Sequence, residues 1–522
     1  VTVMVSASEF WSFITPDNFG FALFGNIVGD GLEWWQWALV LLDYTLKFLA
    51  LGYVPSQRKP TSAMAWLLAI FLIPFAGVIL FLFMGSPYIN RRRHNIQNQA
   101  NELIRTVSAD EPDVPAGFEV TDEIVSMMHL NRHLTSMPAA TGTVVALHSD
   151  YRASIQAMAD AVDSAENYVN VQIYITAWDD TTGVFFDALE RAVARGVTVR
   201  LMFDHVGSWK YPGYRSLGKR LTAIGVEWMV MLPLKPWRWR FRRPDLRNHR
   251  KIVVVDGHTA FMGSQNMIDP SYLLPKNQKK GRHWVDVMVE VTGPIVMSLD
   301  TVFAVDWFTE SNEELDLLSP SQATHWLNAD TTPQVPDSGT EILQVVPSGP
   351  GFTTEPNLRL FTSVAHHAKE HLVLVSPYFI PDESLLDAVT TAAYRGVEVE
   401  LFVSEKADQA IVDFAQSSYY AEMLEAGVRI HRYPYPAVLH SKFVIADDEV
   451  AIIGSSNMDM RSFGLNYEVT MLAGHGDLLD SMTELTDRYR ATCTELTAEA
   501  WGNRRLMRRY VENVARLTSA LQ

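Results

Sequence analysis

The residues able to do chemistry come in two matching sets. The first is His249-x-Lys251-x-x-x-x-Asp256 and the second His440-x-Lys442-x-x-x-x-Asp447. Each is followed by Gly-Ser-x-Asn, as Gly263-Ser264-Gln265-Asn266 and Gly454-Ser455-Ser456-Asn457. One such match can arise by chance; two with the same trailing motif point to a shared task. An imidazole can attack phosphorus or carry a proton, an ammonium supplies positive charge, and hydroxyls and amides add neutral donors. Converged, these groups suit a phosphate. Two histidines on one phosphate predict in-line displacement in two steps. One imidazole attacks phosphorus and forms a phosphohistidine, and the other protonates the leaving alkoxide and then deprotonates the incoming hydroxyl. Lys251 and Lys442, with Ser264, Asn266, Ser455 and Asn457, are the expected phosphate-binding groups. The lysines supply the charge, so neither a metal nor a cofactor is expected.

The residues after each histidine are rich in Val, Ile and Phe, which predicts a β-strand. Alternation along a strand puts His249 and Lys251 on one face, and likewise His440 and Lys442. Asp256-Gly257 and Asp447-Asp448 offer turns, and second strands at Thr259 to Met262 and Val450 to Ile453 lead into Gly-Ser-x-Asn. The predicted unit is a hairpin with His and Lys on one strand and Ser and Asn just past the other. Asp256 and Asp447 complete the catalytic motifs but stand at strand ends, where a structural role in ion pairs is expected.

A wider repeat frames these hairpins. Phe186 to Val199 reads as helix, glycine stop and strand, and Leu386 to Val399 echoes it. A strand precedes each helix, at Tyr168 to Ile175 and His371 to Tyr378. The alternation predicts an α/β fold of two homologous α/β/α sandwich halves with mixed sheets, related by a pseudo-two-fold, with one histidine from each half. The expected divisions are a tail over 1–31, a membrane hairpin over 32–90, a linker and entry segment over 91–142, the first half over 143–318, a linker over 319–340 and the second half over 341–522. The C-terminal stretch from Trp501 is amphipathic and basic early, suiting either a packing helix or a membrane-surface helix.

The chain has 522 residues, a net charge of −17 and one cysteine, Cys493. This excludes an intrachain disulfide and a Cys-based metal site, and argues against a general nucleic-acid partner. Residues 1–30 contain no Lys or Arg and are rich in aromatics, suiting either a membrane interface or a disordered tail. Trp34 to Val54 is a long apolar segment in which Asp43 and Lys47 can pair across one helical turn. Ala63 to Met84 carries no charge and is long enough to cross a bilayer core of ~30 Å. No basic region precedes the first segment, so a two-helix membrane hairpin is predicted rather than a signal peptide. Arg91, Arg92, Arg93 and Arg105 outnumber Arg58 and Lys59 in the connecting loop, which predicts a multi-pass protein of the cell membrane with a cytoplasmic catalytic part. Just before His249, the stretch Lys235 to Arg243 interleaves bases with aromatics. Trp237, Arg238, Arg240, Arg242 and Arg243 are therefore expected to contact an anionic lipid surface.

The duplicated His-x-Lys-x4-Asp resembles the signature of the phospholipase D superfamily. Within it the chain resembles the bacterial cardiolipin synthases, through Arg58 to Leu68, Ile73 to Gly77, Arg247 to Lys251, Ser376 to Asp382, and Asn457 to Phe463 with Asn466 and Glu468. The resemblance covers roughly residues 32 to 520. It implies transfer of a phosphatidyl group from one phosphatidylglycerol to the hydroxyl of another, giving cardiolipin and glycerol. It also implies that Asp286 and Glu468 orient the histidines, that His249 is the nucleophile, and that His440 is the acid and then the base. Another phosphatidyltransferase or a hydrolytic phospholipase D would use the same histidines, and a membrane-anchored nuclease the same chemistry. Oligomeric state is not readable from the sequence.

Overall fold

A computed structural model describes residues 34–522 apart from 57–59, 74, 86–90, 119, 236–239, 242, 244, 316–338, 475, 518 and 520–522. The tail over 1–31 and most of the expected linker over 319–340 thus lie outside the described residues. The chain divides into two units, Val1–Ser86 and Pro87–Gln522.

In the first unit the helix Trp34–Tyr53 is followed by the helix Pro60–Leu72. Asp43 and Lys47 pair at 2.6 Å, as their spacing predicts. The expected unbroken helix from Ala63 to Met84 is not formed. Proline at 74 has no amide hydrogen and disfavours helical backbone before it. Phe75 turns to a φ of 57°, and the chain restarts as Ala76–Leu80 and a π-helical turn, Phe81–Gly85. A Cβ on Gly77 would lie 2.4 Å from the Ala69 carbonyl oxygen, so the reversed chain needs glycine there. Among the described residues no helix is both long and apolar enough to cross a membrane. Trp34–Tyr53 is long but carries Gln36, Asp43 and Lys47, and the second segment is cut short at its proline.

The second unit is built on one sheet that runs through both halves of the repeat. From the outer edge of the C-terminal half, its strands are Thr494–Leu496, Arg429–Tyr433, Glu398–Ser404, His371–Val375, Phe443–Ala446, Val450–Gly454, Asn466–Gly474 and Glu341–Ser348. It continues through Ala140–His148, Met288–Thr292, Thr259–Gly263, Ile252–Val255, Tyr168–Ile173, Thr198–Asp204 and Glu227–Met231. Leaving aside the first-named edge strand, the order reads the same outward from the centre in both directions. The seam is antiparallel, with Ala140 opposite Leu343 and Gly142 opposite Glu341. The two expected sheets are therefore one, because the first strand of each half offers its free edge to the other.

Alternation along the strands sorts the core. Val253, Val255 and Phe261 pack under the helices Tyr151–Asp163 and Gly183–Ala194. Ile252, Val254, Ala260 and Met262 face the other way, into a cluster shared with Phe443, Ile445, Ala451 and Ile453 of the second half. The helices Ile295–Ser311 and Asp477–Thr492 contribute to that same cluster. The stretch expected as a linker before residue 143 is folded into this body. Its helix Asp122–Thr135 buries Ile124, Met127 and Met128, and Asn131 donates to Gln344 at 3.0 Å.

Candidate active site

The hairpins form at the predicted places and in the same register. Ile252–Val255 pairs with Thr259–Gly263, Val255 opposite Thr259, and Phe443–Ala446 pairs with Val450–Gly454, Ala446 opposite Val450. The turn residues Asp256 and Asp447 adopt φ of 53° and 51°. Among the described residues their carboxylates make no ion pair of the expected kind. Asp256 accepts from the amides of Glu166, Asn167 and Tyr168 at 2.7–2.8 Å, and Asp447 from those of Lys369, Glu370 and His371. These amides open the strand alongside and need an acceptor, which the turn carboxylate supplies. Both aspartates thus sit at the far end of the strand from the histidines.

Just upstream of each hairpin the chain crosses to the other half. Arg247–Asn248 pairs in parallel with Asn466 and Tyr467, and the His249 amide donates to the Tyr467 carbonyl at 2.8 Å. Val438–Leu439 pairs in parallel with Trp284–Val285, and the His440 amide donates to the Val285 carbonyl at 2.8 Å. Each histidine backbone is therefore pinned to the residue before the other half's acid. His249 Nδ1 lies 3.0 Å from Glu468 Oε2, and His440 Nδ1 lies 2.6 Å from Asp286 Oδ1. The two dyads are exchanged between the halves, so neither half holds a complete site. With Nδ1 taken up by a carboxylate, Nε2 of each ring is the nitrogen left for chemistry.

The Gly-Ser pairs support the acids. A Cβ on Gly263 would meet the Val287 carbonyl oxygen at 2.3 Å, and one on Gly454 the Val469 carbonyl oxygen at 2.4 Å. Glycine lets the strand approach its neighbour closely enough for the serine to reach across. Ser264 Oγ then donates to Asp286 Oδ1, and Ser455 Oγ to Glu468 Oε2, each at 2.6 Å. The serines expected to bind phosphate are thus occupied with the orienting carboxylates. The asparagines are engaged as well. Asn266 donates to the Tyr272 hydroxyl at 2.8 Å and accepts from the Ile175 amide, while Asn457 donates to Asp459 at 3.1 Å. In both sets the small polar residues are short of open space because the sheet closes around them.

The lysines place two buried cations in the site. Lys251 and Lys442 are buried, and each ammonium donates to the carbonyl of its own motif histidine. Burial pushes Lys251 down to about 8 against the pull of Glu468 and Asp286, and drives Lys442 well below the ordinary range. Burial also brings each imidazole down to about 4, though Glu468 and Asp286 pull the other way. Burial works to raise the two acids, but His440 on Asp286 and His249 on Glu468, with a lysine and a serine each, hold both below the usual carboxylate range. Lys442 is felt at His249 and Lys251 at His440, so the half-sites share one field.

Some contributors escape the motif. Tyr174 stands edge-on to His249 with ring centroids 4.9 Å apart, and its ring lies 5.4 Å from Lys251 Nζ. It follows directly on the strand Tyr168–Ile173, at the sheet end where both histidines enter, and that position is its sequence signal. Arg250 is fully buried, pairs with Asp306 at 2.6 Å and donates to the Glu468 carbonyl at 3.0 Å. Of the expected lipid contacts, Trp237, Arg238 and Arg242 lie outside the described residues, and Arg240 sits on a two-residue strand paired with Leu234–Lys235. Arg243 departs from expectation: it is folded onto Asp245 at 2.5 Å and mostly covered, since a nearby carboxylate captures its guanidinium.

The repeat agrees with comparison to known proteins. The family model described as "Cardiolipin synthase, PLD-like domain" matches residues 158–307 and again 362–490. One described as phospholipase D-nuclease N-terminal matches residues 45–86. Cardiolipin synthase A of Proteus mirabilis (strain HI4320) is 30% identical over 478 residues, 89% of this chain and 94% of its own length. That of Serratia proteamaculans (strain 568) is 30% identical over 483 residues, 91% of this chain and 95% of its own. A solved phosphatidylserine synthase of Haemophilus influenzae Rd KW20 superposes with a TM-score of 0.54 at 13% identity, over 76% of this chain and 99% of that one, which shows the shared fold. The chain belongs to the phospholipase D-like cardiolipin synthase family.

Proposed function

We propose that the chain is a cardiolipin synthase that moves a phosphatidyl group from one phosphatidylglycerol to another through a phosphohistidine. The observation carrying this reading is the exchanged pair of His–carboxylate dyads around two buried lysines, in a chain that matches cardiolipin synthases over nine-tenths of its length. His249 Nε2 attacks phosphorus of the donor phosphodiester, forming a P–N bond as the P–O bond to the head-group glycerol breaks. His440 gives its Nε2 proton to that departing oxygen. It then takes the proton from a hydroxyl of the second phosphatidylglycerol as that oxygen attacks phosphorus and the P–N bond breaks. Lys251 and Lys442 offset the charge that builds on the non-bridging oxygens. A bound phosphodiester brings negative charge toward rings that burial keeps neutral, and so raises the proton affinity of His440.

Supply of a water-insoluble donor requires a bilayer within reach of the site. We assign the Val1–Ser86 unit to membrane attachment and the motif-bearing unit to the cytoplasmic side, from the apolar segments and the arginine bias. The test is incubation with phosphatidylglycerol vesicles and mass spectrometry of the lipids and the released alcohol. Cardiolipin and free glycerol are expected. Phosphatidic acid without cardiolipin would make the protein a hydrolase with the same site.

A further inference from the structure

The C-terminal helix Leu506–Arg516 is docked the wrong way round for a helix that serves the core. Its apolar residues lie outward: Leu506 is 80% exposed, Met507 72%, Tyr510 66%, Val514 45% and Leu517, just past the helix, 83%. With Val511 these side chains fall within an arc of about 140° at ~100° per residue, a single stripe. The buried side holds only Ala515 and the charged Glu512. Glu512 is 2% exposed and takes Arg504 at 2.5 Å and Arg508 at 2.9 Å. Arg504 lies 3.6 Å over the ring of Trp501, and Arg516 pairs with Glu422. A protein in water ordinarily turns such a stripe inward. Here an ion-pair cluster anchors the helix and leaves the stripe free for another phase.

Position and charge name that phase. The helix packs on Ala410–Ser417. That helix follows the strand Glu398–Ser404, which runs parallel to His371–Val375 and ends at the sheet edge where Val375 pairs with Phe443, next to Lys442. Its Gln416 accepts from the Phe379 amide at 2.8 Å, beside the Met458–Asp459 strand that follows Asn457. Ile411 on it is 62% exposed, and at the matching edge of the first half Trp209 is 58% exposed. The C-terminal helix thus rests on an element that leaves the sheet at the edge where the histidines stand. Residues 504–517 carry five arginines and one glutamate in a chain of net charge −17, and Arg505 and Arg509 are exposed. Arginines beside an apolar stripe suit anionic headgroups above acyl chains.

We propose that Leu506–Leu517 is an interfacial element that enters the outer part of an anionic bilayer and seats the active-site edge on the lipid surface. The inference rests on the lipid-substrate reading above but is read out separately from catalysis. Single cysteines at Met507, Tyr510 and Val514, with Glu190 as control, are placed in the full-length Cys493→Ser chain and labelled with an environment-sensitive fluorophore. The protein is reconstituted in vesicles of equal parts phosphatidylglycerol and phosphatidylcholine containing nitroxide-labelled lipid. Quenching and a blue shift at the three helix positions, with neither at Glu190, are expected, whether or not the preparation makes cardiolipin. Labels left open to water would overturn the proposal. So would labels shielded from both water and lipid, which would put a second copy or the chain's own N-terminal helices on the stripe. In a second arm, Leu506→Ser with Tyr510→Ser and Leu517→Ser should lower turnover on vesicles about tenfold or more and leave turnover of dissolved short-chain phosphatidylglycerol unchanged. Equal loss on both substrates, or no loss on vesicles, would contradict it.

Discussion

The two half-sites share a plan and differ in how tightly each imidazole is drawn to its acid. Around His249 the proton on Nδ1 is shared between Glu468 and the Ser455 carbonyl, both at 3.0 Å. Glu468 is itself well satisfied, since Ser455 bonds one oxygen and Asn466 donates to the other at 3.3 Å. Around His440 a single 2.6 Å bond runs to Asp286 Oδ1, and Asp286 Oδ2 has no hydrogen-bond partner among the described residues. A carboxylate with less of its charge satisfied pulls harder on its histidine and stabilises the imidazolium more. This supports His440 as the ring that holds and returns the proton, and His249 as the ring that stays neutral to attack. The residue between His and Lys differs too. Arg250 ties the first motif to Asp306 and to the Glu468 backbone, whereas Ser441 meets the Tyr489 hydroxyl at 2.8 Å. A pseudo-symmetric frame thus gives its two dyads unlike surroundings.

The largest effects should come from the rings. His249→Ala and His440→Ala each lower cardiolipin formation by about 10⁴-fold or more while the protein stays folded. The comparison sharpens with a substrate whose leaving group needs no proton: His440→Ala still releases it in one burst, and His249→Ala does not. Equal loss in both variants on that substrate would break the division of roles. Next come the crossed acids, at about 10²- to 10⁴-fold. Glu468→Gln should slow the burst that depends on His249, and Asp286→Asn should spare the burst on the activated substrate while slowing turnover of phosphatidylglycerol. The reverse pattern would mean the dyads are not exchanged in function.

A third contrast is in stability. Arg250→Met removes the salt-bridge partner of buried Asp306, leaving it the Gln172 amide, and should cost about 3 kcal/mol, whereas Ser441→Ala should cost about 1 kcal/mol, read by denaturant unfolding of the purified chain. Similar costs would mean that the Arg250 ion pair does not hold the seam. The smallest effect is in pH. Because burial holds Lys251 at about 8, its charge is present below that value and lost as pH rises through it, so kcat/KM should fall on the alkaline side from there. A profile flat well past that point would show that the lysine keeps its proton.

Much of the frame was legible because it rests on local pattern. The runs Ile252 to Val255 and Phe443 to Ala446 declare strands, and Asp256 and Asp447 declare the turns. The helix–glycine–strand repeat declares the doubled half. Exchange of the acids was not legible, because it depends on Arg247–Asn248 and Val438–Leu439 pairing with segments more than 150 residues away, and two-residue bridges leave no periodicity. The single sheet was hidden for the same reason. Ser264 and Ser455 looked like phosphate ligands because a hydroxyl after glycine serves an acid or a ligand equally well in one dimension. The break near Pro74 was written in the sequence, but the apolar run around it reads as continuous to a count of hydrophobic residues.

The ring to which phosphorus becomes attached distinguishes nucleophile from base. The direct measurement is a rapid alkaline quench of His440→Ala with an activated phosphodiester, followed by peptide mapping by mass spectrometry. The phosphoryl adduct is expected on His249, and none should form in His249→Ala with the same substrate. An adduct on His440 in the His249→Ala chain would contradict the assignment of nucleophile and base to the two halves.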